Sequence, residues 1–206
     1  MNQEQDYIRD IAEIRSMMAR STRFLSLSGW AGVMAGIYAL IGAYVAHAFL
    51  KFSPAGFVVE EPLSIWTAMM DVTIVAVSVL VLSVGTAIYL SHRKAVKRGE
   101  QAWNATSRRM MASMAVPLIT GGLLALVFIS IGLIGQLIPL TLIFYGLALF
   151  SAGNFTFKEV RYLGVLQACL GLAASMFADY GLLFWAMGFG VLHIVYGIYI
   201  YLKYER

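Results

Sequence analysis

The chain has 206 residues, of which 60% are apolar and only 13% are charged. Soluble domains have about 45 to 50% apolar and about 25% charged residues, so this composition excludes an ordinary soluble globular protein. The single cysteine, Cys169, excludes an internal disulfide framework and a cysteine-based zinc site. The lipid bilayer is therefore the expected solvent.

Residues 1–23 come before the first apolar run and have the pattern of an amphipathic helix. An apolar stripe at helical spacing (Tyr7, Ile11, Ile14, Met18) runs along it, and its four acidic residues balance its four basic ones. A helix that lies on lipid usually carries an excess of Lys and Arg. Packing on protein is therefore favoured over the lipid interface. The protein surface is either the chain's own cytoplasmic loops or, through residues 7–18, a partner or second copy.

Six apolar runs follow, each long enough to approach the roughly 20 residues of a membrane-spanning helix. They cover residues 24–49, 65–91, 110–134, 137–155, 162–178 and 182–202. The predicted fold is all-α: an N-terminal cytoplasmic helix over 1–23 and a polytopic six-helix transmembrane bundle over 24–206. The connections after the third and fifth runs are very short, so these pairs are expected to form antiparallel hairpins.

Basic residues set the predicted orientation. With six spans both termini lie on one side, and that side holds fourteen of the fifteen Lys and Arg residues, whereas the other holds only Lys51. By the positive-inside rule both termini are cytoplasmic, and the localisation is a bacterial inner membrane. Because the basic residues are dispersed over four membrane-proximal segments, nucleic acid is not an expected partner.

The loop between the second and third runs concentrates positive charge beside the membrane. We expect it to lie against anionic lipid headgroups, near Arg93, Lys94, Lys97, Arg98, Arg108 and Arg109.

Acidic residues fall toward the predicted outer face, and ionisable side chains within a span are functional candidates. Asp71 lies about six residues into the second run, roughly 9 Å below its outer boundary at about 1.5 Å per residue. With Glu60, Glu61 and Asp179 it predicts an acidic outer mouth that could bind cations. A buried hydrogen bond or ion pair is the alternative role for Asp71.

Two histidines complete the candidate polar sites. His193 is expected near the middle of the last run and His47 near the outer end of the first, about 13 Å apart in depth at about 1.5 Å per residue. Metal ligands need nitrogen atoms within about 2.1 Å of one ion, so these residues cannot share a metal. No metal and no other cofactor is predicted. A neutral His193 hydrogen-bonded to a neighbouring helix is the structural alternative.

The third run contains Pro117, followed by Gly121 and Gly122, and predicts a helix kink. Broken helices mark substrate sites in many transporters, although proline kinks also occur in inert helices. Small residues elsewhere, such as Gly32 and Gly36 in the first run, predict close helix packing. Packing within one chain is favoured there over homodimerisation.

No metalloprotease, lipase-type or nucleotide-binding motif is present, so an enzyme is not the expected class. The leading hypothesis is a non-enzymatic membrane protein, either an accessory subunit or a regulatory interaction module. The alternative is a transporter of a small solute, a proton or a cation through the acidic outer mouth and Asp71.

Three segments, residues 141–149, 181–193 and 203–206, resemble a set of uncharacterised six-span bacterial integral membrane proteins. This resemblance implies six spans and a bacterial inner membrane, and it implies no activity.

Overall fold

The computed structural model describes residues 27–52, 62–97, 99 and 103–206, with the backbone alone for 62–69. All regular structure in these ranges is helical, so the all-α fold class is confirmed for them. The α-helices are α1 (Gly29–Ala48), α2 (Pro62–Lys97), α3 (Ala105–Ser130), α4 (Leu137–Ala152), α5 (Lys158–Met176), α6 (Gly181–Trp185) and α7 (His193–Tyr204).

A π-helical segment, Ala186–Leu192, joins α6 to α7. The three pieces run on as one helix, called here the last helix (residues 181–204). Short 3-10 turns, Ile134–Gln136 and Ala178–Tyr180, lead into α4 and α6. The predicted N-terminal helix over 1–23 and its partner surface over 7–18 lie outside the described residues.

Five segments of the described chain are long and apolar enough to cross a membrane. They are Gly29–Ala48, Met70–Lys97, Ala105–Ser130, Ile134–Ala152 and Ala178–Tyr204. The predicted fifth run coincides with α5, whose first turn carries charged residues and whose middle carries Gln167, which together interrupt its apolar surface. The described residues therefore contain five candidate spans, which is consistent with a membrane protein, and a sixth span over α5 stays a prediction.

Glycines bring the helix backbones of the bundle into contact. Along α1, a Cβ added to Gly29 would lie 2.5 Å from the carbonyl oxygen of Gly197, and one added to Gly36 would lie 2.6 Å from that of Gly190. On the other side, a Cβ on Gly146 of α4 would lie 2.6 Å from the carbonyl oxygen of Gly164 on α5. Only glycine allows such an approach. The predicted close packing within one chain is confirmed.

The last helix lies between α1 and the α4–α5 pair, and α2 and α3 lie at the two flanks. The helix α2 packs along α1, and α3 packs along α4. Among the described side chains of α2, residues 70–97, only Ser91 and Ala95 are buried, and both lie at the end that carries Lys94. We call the end of the bundle that holds Leu27, Lys94, Glu159 and Glu205 the basic end. The flanking helices thus leave most of their apolar surface uncovered by the described residues.

Candidate functional site: a polar cluster at the basic end and in the middle of the bundle

Glu205 ties three parts of the chain together at the basic end. Its carboxylate accepts a hydrogen bond of 2.6 Å from the backbone N–H of Gly29, the first residue of α1. The same oxygen accepts one of 2.9 Å from the ammonium group of Lys94 on α2, which also donates to the carbonyl oxygen of Leu27 at 2.7 Å. Ser28 makes no side-chain cap, so Glu205 supplies the anion that the N-terminus of α1 favours.

Glu159 forms a second polar contact at this end, between α5 and α7. One oxygen of its carboxylate accepts hydrogen bonds from Lys203 at 2.7 Å and from the hydroxyl of Tyr204 at 3.0 Å. Partial burial of the carboxyl raises the pKa of Glu159, but the hydrogen bonds from Lys203 and Tyr204 and the charge of Lys203 outweigh burial and lower it. The carboxylate is therefore ionised at neutral pH. Glu159 therefore joins the first turn of α5 to the end of α7.

Among the described residues, His193 is the only predicted polar or ion-binding candidate that is buried, with 5% of its surface exposed. Its Nδ1 lies 3.0 Å from the carbonyl oxygen of Gly188, and its Nε2 lies 3.0 Å from the hydroxyl of Tyr145. A carbonyl oxygen can only accept, so Nδ1 carries the proton. In the neutral ring Nε2 then accepts from Tyr145. The predicted neutral, hydrogen-bonded histidine matches this geometry.

The π-helical segment supplies the carbonyl that His193 uses. Gly188 lies five residues before His193, within the π-helical segment. The wider turn of a π-helix leaves the carbonyl oxygen of Gly188 accessible to the imidazole. The rings of Phe189 and Tyr145 lie against the imidazole, with centroids 6.0 and 5.5 Å away. Short π-segments occur frequently at functional sites, and this one positions the central polar residue of the bundle.

Gln167 lies beside the π-helical segment and is fully buried, with 0% of its surface exposed. Its amide oxygen sits against Gly188, where any Cβ would collide with it, and neither its oxygen nor its nitrogen has a hydrogen-bond partner within the described chain. Gln167 thus lies at the level of Gly188, and nothing in the sequence indicated that contact.

The predicted outer mouth does not form a cluster in the described residues. Asp71, His47 and Asp179 are all exposed, and no hydrogen bond or ion pair between them is present there. Glu60 and Glu61 lie outside the described residues. No group of three His, Cys, Asp or Glu side chains that could hold a metal ion occurs in the described chain.

The packing of α2 on α1 shows the level of Asp71 along the bundle, while its depth in a membrane stays a prediction. Gly42 of α1 packs against Val75 and Val79 of α2, and Asp71 lies one to two turns beyond these valines, about 6 to 12 Å at about 1.5 Å per residue. That places it level with the last turn of α1, which ends at Ala48. An exposed carboxylate at the end of the bundle does not require the buried partner that a deeper position would.

The predicted kink region lies on the flanking helix α3, which runs without interruption through Pro117. Gly121 packs against the ring of Phe144 on α4, whereas nothing lies within 4 Å of a Cβ added to Gly122. The helix is therefore not broken into the two halves that a transporter site would use, and a bend at Pro117 stays a prediction.

The predicted headgroup surface divides into two parts. Lys94 is turned inward and paired with Glu205, with 12% of its side chain exposed. The exposed members are Arg93, Lys97, Arg108 and Arg109, and Arg98 lies outside the described residues. Lys94 is therefore part of the fold, and the proposed headgroup contacts rest on the others.

Comparison of the chain with protein-family models, with curated proteins and with solved structures finds no match. The resemblance to six-span bacterial membrane proteins therefore stays a prediction, and the function is argued from the geometry alone.

Proposed function

We propose that the chain is a six-span protein of a bacterial inner membrane with both termini in the cytoplasm. Three facts support α5 as the sixth span: it has 19 residues, it packs along the candidate span that contains α4, and its charged residues are confined to its first turn. The basic end, which gathers the start of α1 and the ends of α2 and α7, is then the cytoplasmic end.

Reporter fusions test this topology. Fusions at Gly56 and Tyr180 should report the periplasmic side, and fusions at Glu100 and Arg206 the cytoplasm. The same signal at Gly56 and at Glu100 would mean that α2 does not cross the membrane, which is incompatible with six spans. A cytoplasmic signal at Gly56 would reverse the assignment of the basic end.

We infer further that the protein is a non-enzymatic accessory or regulatory subunit that binds another integral membrane protein through its flanking helices. One observation carries this. In the apolar 18-residue stretch of Met70–Lys97 no residue is buried, and in that of Ala105–Ser130 6% of the residues are buried. The share of buried residues is 39% in the corresponding stretches of Gly29–Ala48 and Ile134–Ala152. The two flanks are thus the surfaces open to another transmembrane helix. Residues 7–18 are proposed as a second contact with the same partner.

The partner is proposed to be a different protein because of Asp71. A two-fold contact between two copies of α2 would bring both Asp71 carboxylates to the same depth, where like charges repel. A helix of another protein that carries a hydrogen-bond donor or a cation at that depth would instead be attracted. Arg93, Lys97, Arg98, Arg108 and Arg109 are proposed to contact anionic headgroups.

Site-specific photo-crosslinking in native membranes tests the accessory function. A crosslinker at Val81 on α2 or Leu126 on α3, both 63% exposed, should capture one and the same partner, which mass spectrometry identifies. Leu172 on α5, 59% exposed, is the matched control and should capture only lipid. The substitution Val81→Trp should abolish capture from Leu126 without unfolding the bundle. Equal capture at all three positions, or capture of this chain alone, would contradict the proposal.

A transporter is the second candidate, and the buried polar residues favour it. His193, Tyr145 and Gln167 lie inside the bundle, whereas Asp71 does not. If the protein transports a proton or a small solute, these interior groups are the proposed route in place of the acidic outer mouth. Asp71→Asn would then leave proton or cation flux in reconstituted vesicles unchanged, whereas Tyr145→Phe would reduce it.

A further inference from the structure

Four side chains present polar atoms that have no hydrogen-bond partner in the described chain and almost no contact with solvent. One is Ser91 on α2. The other three, on α5 and α7, present both amide atoms of Gln167, the hydroxyl of Tyr196 and the second carboxylate oxygen, Oε2, of Glu159. A buried polar group without a partner costs about 1 to 3 kcal/mol, and such groups are rare in folded proteins. Three in one region indicate a ligand that satisfies them.

These groups lie in one row, called here the polar row, which consists of Glu159, Tyr196, Tyr145, His193 and Gln167. Glu159 stands at the basic end with 14% of its side chain exposed. Tyr196 and Tyr145 both pack against the same group of buried side chains, which includes Val160, the residue after Glu159 on α5. Tyr145 is hydrogen-bonded to His193, whose ring is bonded to Gly188, and Gln167 lies against Gly188. The row thus leads from the basic end to the middle of the bundle.

The donors and acceptors of the row match water. Tyr145 donates its hydrogen bond to His193, so its oxygen is left to accept, and Oε2 of Glu159 can also only accept. The hydroxyl of Tyr196 and the amide nitrogen of Gln167 can donate. A water molecule can accept from one neighbour and donate to two, which is the number of hydrogen bonds that a buried water usually makes. A cation cannot accept the hydrogen bonds of Tyr196 and Gln167, and an anion would be repelled by the charge of Glu159.

We propose that the polar row binds internal water molecules that enter at the basic end past Glu159 and connect His193 to solvent. The site is independent of the partner-binding function proposed above, since it lies inside the bundle and not on its flanks. It gives the middle of the bundle a hydrogen-bonded path along which a proton can reach the imidazole.

Two nearly isosteric substitutions test the proposal by whether they lower or raise Tm. If water fills the row, Tyr196→Phe and Gln167→Met each remove a hydrogen-bonded group and should lower Tm, by about 3 to 6 °C for a chain of this size. If the row is dry, each removes an unsatisfied polar atom and should raise Tm. Tyr162→Phe, at a tyrosine that is 68% exposed, is the matched control and should leave Tm unchanged.

Hydroxyl-radical footprinting of the wild-type protein provides the second measurement, which does not depend on how the variants fold. X-ray-generated radicals oxidise side chains beside internal water even where bulk solvent does not reach them. Tyr196, Tyr145 and His193 should be oxidised well above Phe157, which is 4% exposed and serves as the dry aromatic reference. Oxidation at the level of Phe157, or a rise in Tm for both variants, would overturn the proposal.

Discussion

The helix α1 packs against two neighbours by two different kinds of contact. Toward the last helix, backbone meets backbone: a Cβ on Gly197 would lie 2.5 Å from both the carbonyl oxygen of Gly29 and the backbone nitrogen of Val33. Toward α2, backbone meets side chain: a Cβ on Gly42 would lie 2.6 Å from a methyl group of Val79. A methyl group can move by rotation, whereas a helix backbone moves only as a unit. The central interface is therefore expected to be rigid and the flank adaptable.

Substitution of the glycines gives the largest expected effect. Gly197→Ala should destabilise the bundle by about 3 kcal/mol or more, because the new methyl group overlaps backbone atoms and the helices must separate. Gly42→Ala should cost about 1 kcal/mol, because the Val79 side chain can turn away. Gly85→Ala, on α2 with nothing within 4 Å, is the control and should be neutral or slightly stabilising.

Unfolding in detergent, followed by circular dichroism against denaturant, measures these three differences. Equal losses for Gly197→Ala and Gly42→Ala would remove the distinction between the two interfaces. The opposite order would mean that α2 is the more rigidly held neighbour of α1.

The position of α2 can be tested at its other end, where a charged contact holds it. Lys94→Ala should cost about 1 to 3 kcal/mol, because the carboxylate of Glu205 loses its cation and the carbonyl of Leu27 loses a donor. Lys97→Ala, at an exposed position three residues later, should change stability by less than about 0.5 kcal/mol.

The substitution of Lys94 distinguishes two ways in which α2 could be attached to the bundle, by its ion pair with Glu205 or by its apolar surface. If α2 is attached mainly by its apolar surface, Lys94→Ala will behave like Lys97→Ala in the same unfolding assay. A double substitution with Glu205→Gln should cost less than the sum of the two single ones, because both remove one contact.

The membrane helices were predictable from the sequence because apolar runs of about 20 residues have few other stable structures. That Gly36 makes a close helix contact was predictable, since small residues permit close approach. The sequence did not indicate that its partner is Gly190 on the last helix. The contact between Lys94 and Glu205 joins residues 111 positions apart, and no local pattern encodes it.

The interior of the bundle shows why site prediction from sequence is incomplete. His193 was identified because an ionisable residue stands out in an apolar run. The contact between Gln167 and Gly188 was not predicted, because an uncharged amide is a weak signal and α5 begins with charged residues. The π-helical segment was not predicted, since Ala186–Leu192 contains no residue pattern that distinguishes it from α-helix. The exposure of Asp71 was not predictable, because it depends on where the neighbouring helix α1 ends.

The smallest expected effect is the pH dependence of the contact between α5 and α7. In the folded protein, Glu159 accepts hydrogen bonds from Lys203 and Tyr204 and lies beside the positive charge of Lys203. These interactions lower the pKa of Glu159 below its value in the unfolded chain. The resulting stabilisation is present above the unfolded pKa, which is about 4.3 for a glutamate, and is lost as the pH falls through the folded value. Because Lys203 is 45% exposed, solvent screens the pair, and we expect a smaller effect than that of any destabilising substitution above.

Melting of the wild type and of Glu159→Gln between pH 3 and pH 7 isolates this contribution. Other carboxylates titrate in the same range in both proteins, so only the difference between the two curves reports on Glu159. The difference should be greatest at pH 7 and should shrink as the pH falls below about 4, since a protonated carboxyl no longer attracts Lys203. A difference that stays constant with pH would show that Glu159 acts through its shape and the hydrogen bond from Tyr204, and that charge does not hold α5 to α7. That result would leave Lys94 and Glu205 as the ion pair on which the basic end depends.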